Sequence, residues 1–537
     1  MQAAKSAGGM RMPFLHSAWV IALAAMLLAQ HASSESHPAA PSAPAAPAHR
    51  SATALADAAR SDDAKSLRAL IPQTADVDAP DADGTSALHW VVRRGRIDLA
   101  RLLIAAGADP NRPSRLGLRP LYLAAANGDA AMAGLLIKAG ADPNAAAAYG
   151  ESMLMAAVDS RNLATVKALL GAGAQVDARD PHYEQTALMF AARDGLPDIA
   201  EALIAAGAKV DARTRLGEEP AWVLPNSRKG FSFGVGIIRG GWPADRGMRP
   251  FRRGNMTPLL YAARDGHTKT AKVLLDAGAD INAAEANAIT PLLMAISNDR
   301  MELAKLLIAR GARLDAQDWY GRSPLWTAVR VRNLYLDNNT LQSTIDRAPV
   351  LEIIRMLLEK GADPNPRTKE APPPREYLLP ITWSLEWVDF TGQTPFLAAA
   401  RAGDVTVMRL LLQHGADPSI ATFGGTTPLM AAAGINWVVS QSYTEGPAAL
   451  LEAVKLCRAL GNDVNAVNSM GLTAIDGAAN RGSDDIIEYL VSQGARLDVK
   501  DKEGRTPLDW ARGVFLATHP AEPKPSSIAL IERLMKH

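Results

Sequence analysis

The stretch TPLLYAARDGHTKTAKVLLDAGADINAAEANAITPLL, residues 257–293, decides how this chain folds. Thr257 stands where a helix N-cap accepts a bond from an early helical N–H, and Pro258 follows at the position where a missing donor does no harm. Leu259, Ala262 and Ala263 then begin a short helix with small residues where a neighbour must come close. A second helix runs through Thr270-Ala271-Lys272-Val273-Leu274-Leu275, its apolar residues at helical spacing. Gly278 ends it, because a left-handed residue past a helix is easiest for glycine. Asp280-Ile281-Asn282 lead into a polar turn, and Thr290 restarts the pattern 33 residues after Thr257.

The same two markers recur along the chain. Thr/Ser-Pro-Leu, or Phe in place of Leu, begins at Thr257, Thr290, Ser323, Thr394, Thr427 and Thr506, with looser copies at Thr53, Ser86, Arg119, Ser152, Thr186 and Thr473. Gly-Ala-Asp or a close variant begins at Gly107, Gly140, Gly173, Gly207, Gly278, Gly311, Gly361, Gly415 and Gly494, with a weaker copy at Gly461. The commonest step in both series is 33. Neither helix of a unit can bury its face alone, so stability must come from stacking on adjacent units. The expected fold is an all-α repeat solenoid.

These residues resemble the ankyrin repeat, whose pattern is a turn and two helices in 33 residues with a Thr-Pro-Leu-His motif. The resemblance covers about twelve units from Ala52 to the C-terminus. It implies that the motif's His links neighbouring turns. Here the chain departs from it: His89 keeps the residue, while Tyr122, Met155, Met189, Leu260, Leu293 and Trp326 replace it. The degenerate first unit at Thr53 and the last segment, Ala529–Leu534, read as end caps.

Bulk composition agrees. With 537 residues the chain is too long for one compact core. A hydrophobic fraction of 48% and a charged fraction of 21% mark it as globular. A net charge of +1 gives no global pull toward nucleic acid. A single cysteine, Cys457, excludes an internal disulfide framework and any multi-thiolate metal site.

The N-terminus has a different character. Lys5 and Arg11 precede a twelve-residue apolar run, Ala18 to Ala29, which is too short to span a bilayer and reads as a secretory signal. Ala32-Ser33-Ser34 offers small residues for cleavage; the alternative is an uncleaved membrane-proximal anchor. The Pro/Ala-rich segment that follows is a linker. The expected organisation is a signal at 1–34, a linker at 35–50, repeats at 51–214, an insert at 215–254, repeats at 255–365, a second insert at 366–390, and repeats with a cap at 391–537. Export to a bacterial periplasm or beyond follows from the Ala-rich signal and linker.

Breaks in the period point to binding loops. The insert at 215–254 holds Trp222, Phe231, Phe233, Trp242 and Phe251 beside eight basic residues, among them Arg252 and Arg253. The Pro-rich insert at 366–390 carries Trp383 and Trp387. Both extend the turn that ankyrin proteins use as a finger beside their concave face. Two further inserts, at 334–348 and 435–447, lie between the helices of a unit and are expected at the opposite edge. Two readings stand for the finger aromatics: they flank a binding surface on the middle units, or they cover the solenoid. The residue after the His position faces the concave side in this family, which makes Trp90, Phe190, Tyr261 and Met294 candidates for partner contact.

Catalytic and ligand motifs in the sequence lack the context their chemistry needs. Gly230-Phe231-Ser232-Phe233-Gly234 matches G-x-S-x-G, but glycines and prolines on both sides deny it the strand and helix of a nucleophile elbow. Asp265 and His267 follow in the right order, yet belong to a repeat's own pattern. No Walker A sequence occurs, and no histidine pair has metal-ligand spacing. No cofactor or metal is expected. The reading is a monomeric, non-enzymatic scaffold that binds another protein, with no role for nucleic acid and with membrane contact only through an uncleaved N-terminal segment. The alternatives are a hydrolase with Ser232 as nucleophile, or a secreted effector that binds a host protein.

Overall fold

The structure is a computed structural model that describes residues 47–145, 150–218, 252–333, 347–369, 388, 390–437, 446–514 and 521–536. These residues form twelve antiparallel helix pairs. The first five are α1 (Pro47–Arg60) with α2 (Ala64–Leu70), α3 (Ala87–Arg93) with α4 (Ile97–Ala105), α5 (Pro120–Ala126) with α6 (Ala130–Lys138), α7 (Met153–Asp159) with α8 (Leu163–Gly171), and α9 (Ala187–Asp194) with α10 (Pro197–Ala205). The next three are α11 (Pro258–Asp265) with α12 (Thr268–Asp276), α13 (Pro291–Ser297) with α14 (Met301–Ala309), and α15 (Pro324–Arg332) with α16 (Arg347–Glu359). The last four are α17 (Pro395–Ala402) with α18 (Val405–Gln413), α19 (Pro428–Ala433) with α20 (Pro447–Ala459), α21 (Ala474–Arg481) with α22 (Asp484–Ser492), and α23 (Pro507–Arg512) with α24 (Pro525–Leu534).

First helices that begin with the full marker start as their sequence dictates, whereas Ser86 and Thr186, in looser copies, make no side-chain cap bond. The Thr257 hydroxyl accepts the Leu260 amide at 3.3 Å, and Thr290, Ser323, Thr394, Thr427 and Thr506 cap in the same way. First helices stack on first helices and second on second, so that one apolar core runs the length of the array. Alanines in the first helices, such as Ala124, Ala157, Ala191, Ala262 and Ala295, are fully buried and set the close spacing. One boundary differs from expectation: α1 begins at Pro47, inside the segment read as linker. Proline is tolerated in a helix's first turn, and the alanines that follow favour helix.

Two hydrogen-bond ladders tie successive units along the turn edge. In the first, a side-chain oxygen four residues after the Gly marker accepts a backbone amide of the next unit. Asn111 Oδ1 takes Asp142 N–H at 2.8 Å, Asn144 takes Gln175 at 2.7 Å, Asp177 takes Lys209 at 3.0 Å and Asn282 takes Arg313 at 2.8 Å. At Asn111, Asn144, Asn365 and Asn465 the Nδ2 also donates onward, as from Asn144 to the Gly173 carbonyl at 3.0 Å. The rungs cross every insert: Asp211 to Asp280 at 3.1 Å, Asp315 to Asp363 at 2.9 Å, Asn365 to Asp417 at 2.7 Å. At the weak copy the rung inverts, with Asn462 Nδ2 donating to the Pro418 carbonyl at 3.1 Å. The second ladder joins finger backbones, for example Trp319 N–H to Asn287 O at 3.0 Å, Lys369 to Tyr320 at 2.7 Å and Ser469 to Gly424 at 2.7 Å.

The link at the His position takes three chemical forms. His89 is buried between the Ser86 hydroxyl at 2.8 Å and the Leu118 carbonyl of the next unit at 3.0 Å, so it makes the link that the resemblance implies. Tyr122 reaches the next unit by donating to Glu151 Oε2 at 2.6 Å. Met155, Met189, Leu260, Leu293 and Trp326 are buried and replace the polar link with packing.

The inserts between helices begin and end where the period breaks. Residues 334–346 and 438–445 lie outside the description, but α16 and α20 run to 13 residues each against nine in most second helices, so part of each insert is extra helix. Arg332 and Arg347, at the two ends of the first, converge on the buried Asp404 at 2.8 and 3.4 Å.

Two outcomes follow. Asn365→Ala removes an acceptor and a donor from the ladder and lowers stability by about 1–3 kcal/mol; denaturant unfolding of the full chain checks this, and Asn365→Asp, which keeps the acceptor, loses less. Burial holds the His89 imidazole below its ordinary protonation range. Its contribution is therefore complete above pH about 6.5 and is lost as pH falls through that value, because the unfolded chain takes up the proton first. Unfolding midpoints compared across that pH range show the dependence, and His89→Gln reduces it.

Candidate functional site

The first helices present one residue per unit just after the His position. Trp90 is half-buried there, and its indole N–H donates to Asp81 Oδ2 at 2.9 Å. Phe190 and Tyr261 keep only 8% and 7% of their surface exposed, so their ring edges alone reach the outside. The Tyr261 hydroxyl accepts Gln185 Nε2 at 2.6 Å, and burial raises its pKa. Met294 is fully buried, its sulfur 3.5 Å from Asn298 Nδ2. Met294 is thus a core residue and not a partner contact, because α13 is packed between α11 and α15 and its side chain fills the space between them.

Sequence reasoning missed what covers the aromatics. Three residues after each ring, one helical turn on, an arginine lies over it: Arg93 over Trp90 at 5.7 Å, Arg193 over Phe190 at 4.4 Å and Arg264 over Tyr261 at 5.0 Å. The signal was available as aromatic-x-x-Arg recurring at one position of the repeat. Such stacks favour the cation by about 0.5–1 kcal/mol at exposed sites. Carboxylates hold the guanidinium planes in place. Arg193 pairs with Asp159 at 2.9 Å and Asp194 at 2.8 Å, and Arg264 with Asp265 at 2.8 Å. Burial pushes the Asp159 carboxyl up to about 6 even beside Arg193. The resulting stripe alternates cation, ring and carboxylate, a set of groups suited to gripping a polypeptide surface.

The insert at 215–254 leaves and returns through an antiparallel stem, β1 (Gly217–Glu218) and β2 (Arg252–Arg253), with Gly217 opposite Arg253 and Glu218 opposite Arg252. Thr214 N–H bonds Met256 O at 3.0 Å below it, and Arg215 N–H bonds Tyr183 O at 2.8 Å. Gly254 closes the stem at φ +104°, where a Cβ would lie 1.8 Å from the Arg215 carbonyl oxygen. Units five and six stay stacked across the insert, and His267 Nε2–H donates to Arg193 O at 2.8 Å. The second finger insert is pinned likewise, with Thr368 N–H to Gln393 O at 3.1 Å and Gly392 N–H to Thr368 O at 2.8 Å.

Arg253 is exposed on the stem, and Arg252 stands beside it. Phe231, Trp242, Phe251, Trp383 and Trp387 lie outside the described residues, as does Ser232. The structure therefore brings Phe190 and Tyr261 together near the stem, while Trp90 stands on an earlier unit. The two residues named with Ser232 have structural partners: Asp265 pairs with Arg264, and His267 bonds a carbonyl. Burial pushes the Cys457 thiol up to about 12. Among the described residues no group of His, Cys, Asp and Glu could hold a metal ion, and no helix is long and apolar enough to cross a membrane.

Gly254→Ala should open the stem. The expected result is a loss of about 1–3 kcal/mol from backbone strain alone, together with faster amide exchange at Arg215 and Met256 than at Lys502, whose bond to the Met470 carbonyl lies in the last units of the array.

Known proteins share this architecture. Ankyrin repeats match residues 26–114, 121–214 and 259–368, with further matches at 92–137, 391–423 and 470–502. The chain is 30% identical over 138 residues to alpha-latrocrustotoxin-Lt1a of Latrodectus tredecimguttatus, covering 25% of this chain and 9% of that protein. It is 30% identical over 152 residues to human ankyrin repeat domain-containing protein 63, covering 28% of this chain and 32% of that one. To the mouse 2-5A-dependent ribonuclease it is 33% identical over 101 residues, covering 19% and 11%. The chain thus spans a third or less of the curated relatives it matches, and the likeness lies in the repeats. With twelve stacked helix pairs, two ladders along their turns and repeat matches over more than half its length, this chain belongs to the ankyrin-repeat family, whose arrays are scaffolds for protein–protein interaction.

Proposed function

We propose that this chain is an exported scaffold that holds another protein against its first-helix stripe and the finger insert beside it. The observation that carries the reading is the recurrence of one device, an arginine laid over an aromatic ring, at the same position of three units. Packing needs no exposed guanidinium there, and yet Arg193 and Arg264 keep 29% and 35% of their side-chain surface open. Arginine and aromatic side chains dominate the energetics of protein interfaces. The sequence of the insert at 215–254 is basic and aromatic, and its stem fixes where that segment leaves the stack, between the units that carry Phe190 and Tyr261. Export is supported by the basic start and the twelve-residue apolar run, which suit a signal and not a span.

The full mature chain, immobilised, should retain a protein from the exported fraction of the producing cell. The double variant Arg193→Ala/Arg264→Ala should bind it about tenfold or more weakly, as hot-spot truncations do. Replacing residues 219–251 by a two-residue turn, which the Glu218–Arg252 pairing accommodates, should weaken it comparably. Retention unchanged by both variants would refute the site. Residues 1–50 fused to a phosphatase that folds only outside the cytoplasm should yield active enzyme; an inactive fusion refutes export.

A further inference from the structure

The arginines laid over rings stand seven residues after the N-cap of their units: Arg93 after Ser86, Arg193 after Thr186, Arg264 after Thr257. In those units the ring belongs to the residue four after the cap. Two later units repeat the arginine without that ring. Unit nine has Arg401 after Thr394 with Ala398 between them, and unit eight has Arg330 after Ser323 with Thr327 between them.

Unit nine shows what such a place takes when its own side chain is small. Phe390, at the end of the second finger insert, is buried, and the Arg401 guanidinium carbon lies 5.2 Å from the centre of its ring. Val388 N–H donates to Asn436 Oδ1, just past the end of α19, at 3.3 Å. Thr391 O accepts Phe423 N–H at 2.8 Å on the finger edge. The segment therefore runs along the first helices of units nine and ten, from their C-terminal ends toward their N-terminal ends. A ring that unit nine lacks is brought to its arginine by chain from outside the helix pair.

Unit eight has the arginine and neither source of ring among the described residues. The equivalent residue of unit one, Arg60, takes Asp57 at 3.0 Å, but no described carboxylate or carbonyl pairs with Arg330. Val331 follows it where Asp194 and Asp265 follow the arginines of units five and six. Its side chain is half-buried, and its guanidinium nitrogens stay open to solvent, unlike buried nitrogens of Arg119, Arg458 and Arg481. An incoming group can therefore reach it. The face of a guanidinium attracts the face of an aromatic ring, and that is the face its four ring-bearing counterparts use.

We propose that Arg330, beside Thr327, is a binding position for an aromatic side chain of a partner polypeptide, seated as Phe390 is on Arg401. The partner rests on the scaffold reading above; the preference for a ring does not, and it is tested without any partner.

The test follows the arginine Nε–H resonances of the full chain, with that of Arg330 identified by its loss in Arg330→Lys. The probe is a blocked peptide of residues 388–392, Val-Asp-Phe-Thr-Gly, against its Phe390→Leu counterpart. The first should move the Arg330 resonance upfield and saturably, because a proton over a ring face is shielded; the second should not. Thr327→Phe, which places a ring where unit five has Phe190, should show the upfield position without peptide and need about threefold or more peptide for further movement. If that variant does not fold, the two peptides still decide the matter. No upfield movement, or an equal one at Arg355, exposed on the second helix of the same unit, overturns the position. A downfield movement equal for both peptides assigns their shared carboxylate and overturns the ring. Once a protein is retained by the immobilised chain, Arg330→Ala should weaken it about threefold or more, and unweakened retention overturns the partner's use of the position. An upfield shift with no protein retained upholds the position and refutes only the scaffold reading.

Discussion

A side-chain oxygen accepting the backbone amide of the next unit's turn sets the spacing of this stack. Each rung contributes on the order of 1 kcal/mol, yet its geometry is strict, because donor and acceptor belong to different units and meet only when the two are in register. The usual rung joins residues 31 apart, but the same bond closes over 69, 48 and 52 residues where inserts intervene. Loop-closure entropy grows only slowly with length, so extra chain between rungs is tolerated. The inserts are therefore additions to a stack whose register is set elsewhere.

The fold was legible in the chain because its markers are caps and terminators, which work through local chemistry. Thr257 and Gly278 do in the structure what residues of those types must do at helix ends. The ladder was not legible, although its residues were. Asn282 reads as a turn former, and only stacking shows that its carboxamide faces the next unit. The stripe was half-legible for a related reason. Spacing put Phe190, Tyr261 and Met294 on one line, but burial along that line depends on how closely the neighbouring helices approach. Met294 disappears beneath its neighbours, while Phe190 and Tyr261 keep an edge under an arginine.

The varied residue at the His position shows how one structural need is met by unlike chemistry. A buried imidazole needs two polar partners, and His89 has both. A phenol reaches further and takes a carboxylate, as Tyr122 does with Glu151. Methionine, leucine and tryptophan offer no long-range bond there, and in their units the ladders at the turn edge hold the register. Not every shielded polar group is answered in this way: Arg119, Arg458 and Arg481 each keep a buried guanidinium nitrogen without an acceptor.

The two ladders run as continuous rows along one edge of the array, while the opposite edge is held by apolar packing and by separate polar contacts of unlike kind, such as Arg96 with Asp62 and His267 with the Arg193 carbonyl. Hydrogen bonds in a row resist lengthening, since each loses its strength within a few tenths of an ångström, whereas packed helices slide at little cost. A load on the array is therefore carried unequally: the turn edge acts as a tape of fixed length, and the helical edge yields. Tension changes the curvature of the stack before it changes its contour, and a stripe on the first helices widens or narrows as it does. Such an array behaves as a leaf spring, and how far a bound body can bend it depends on the edge that does not stretch.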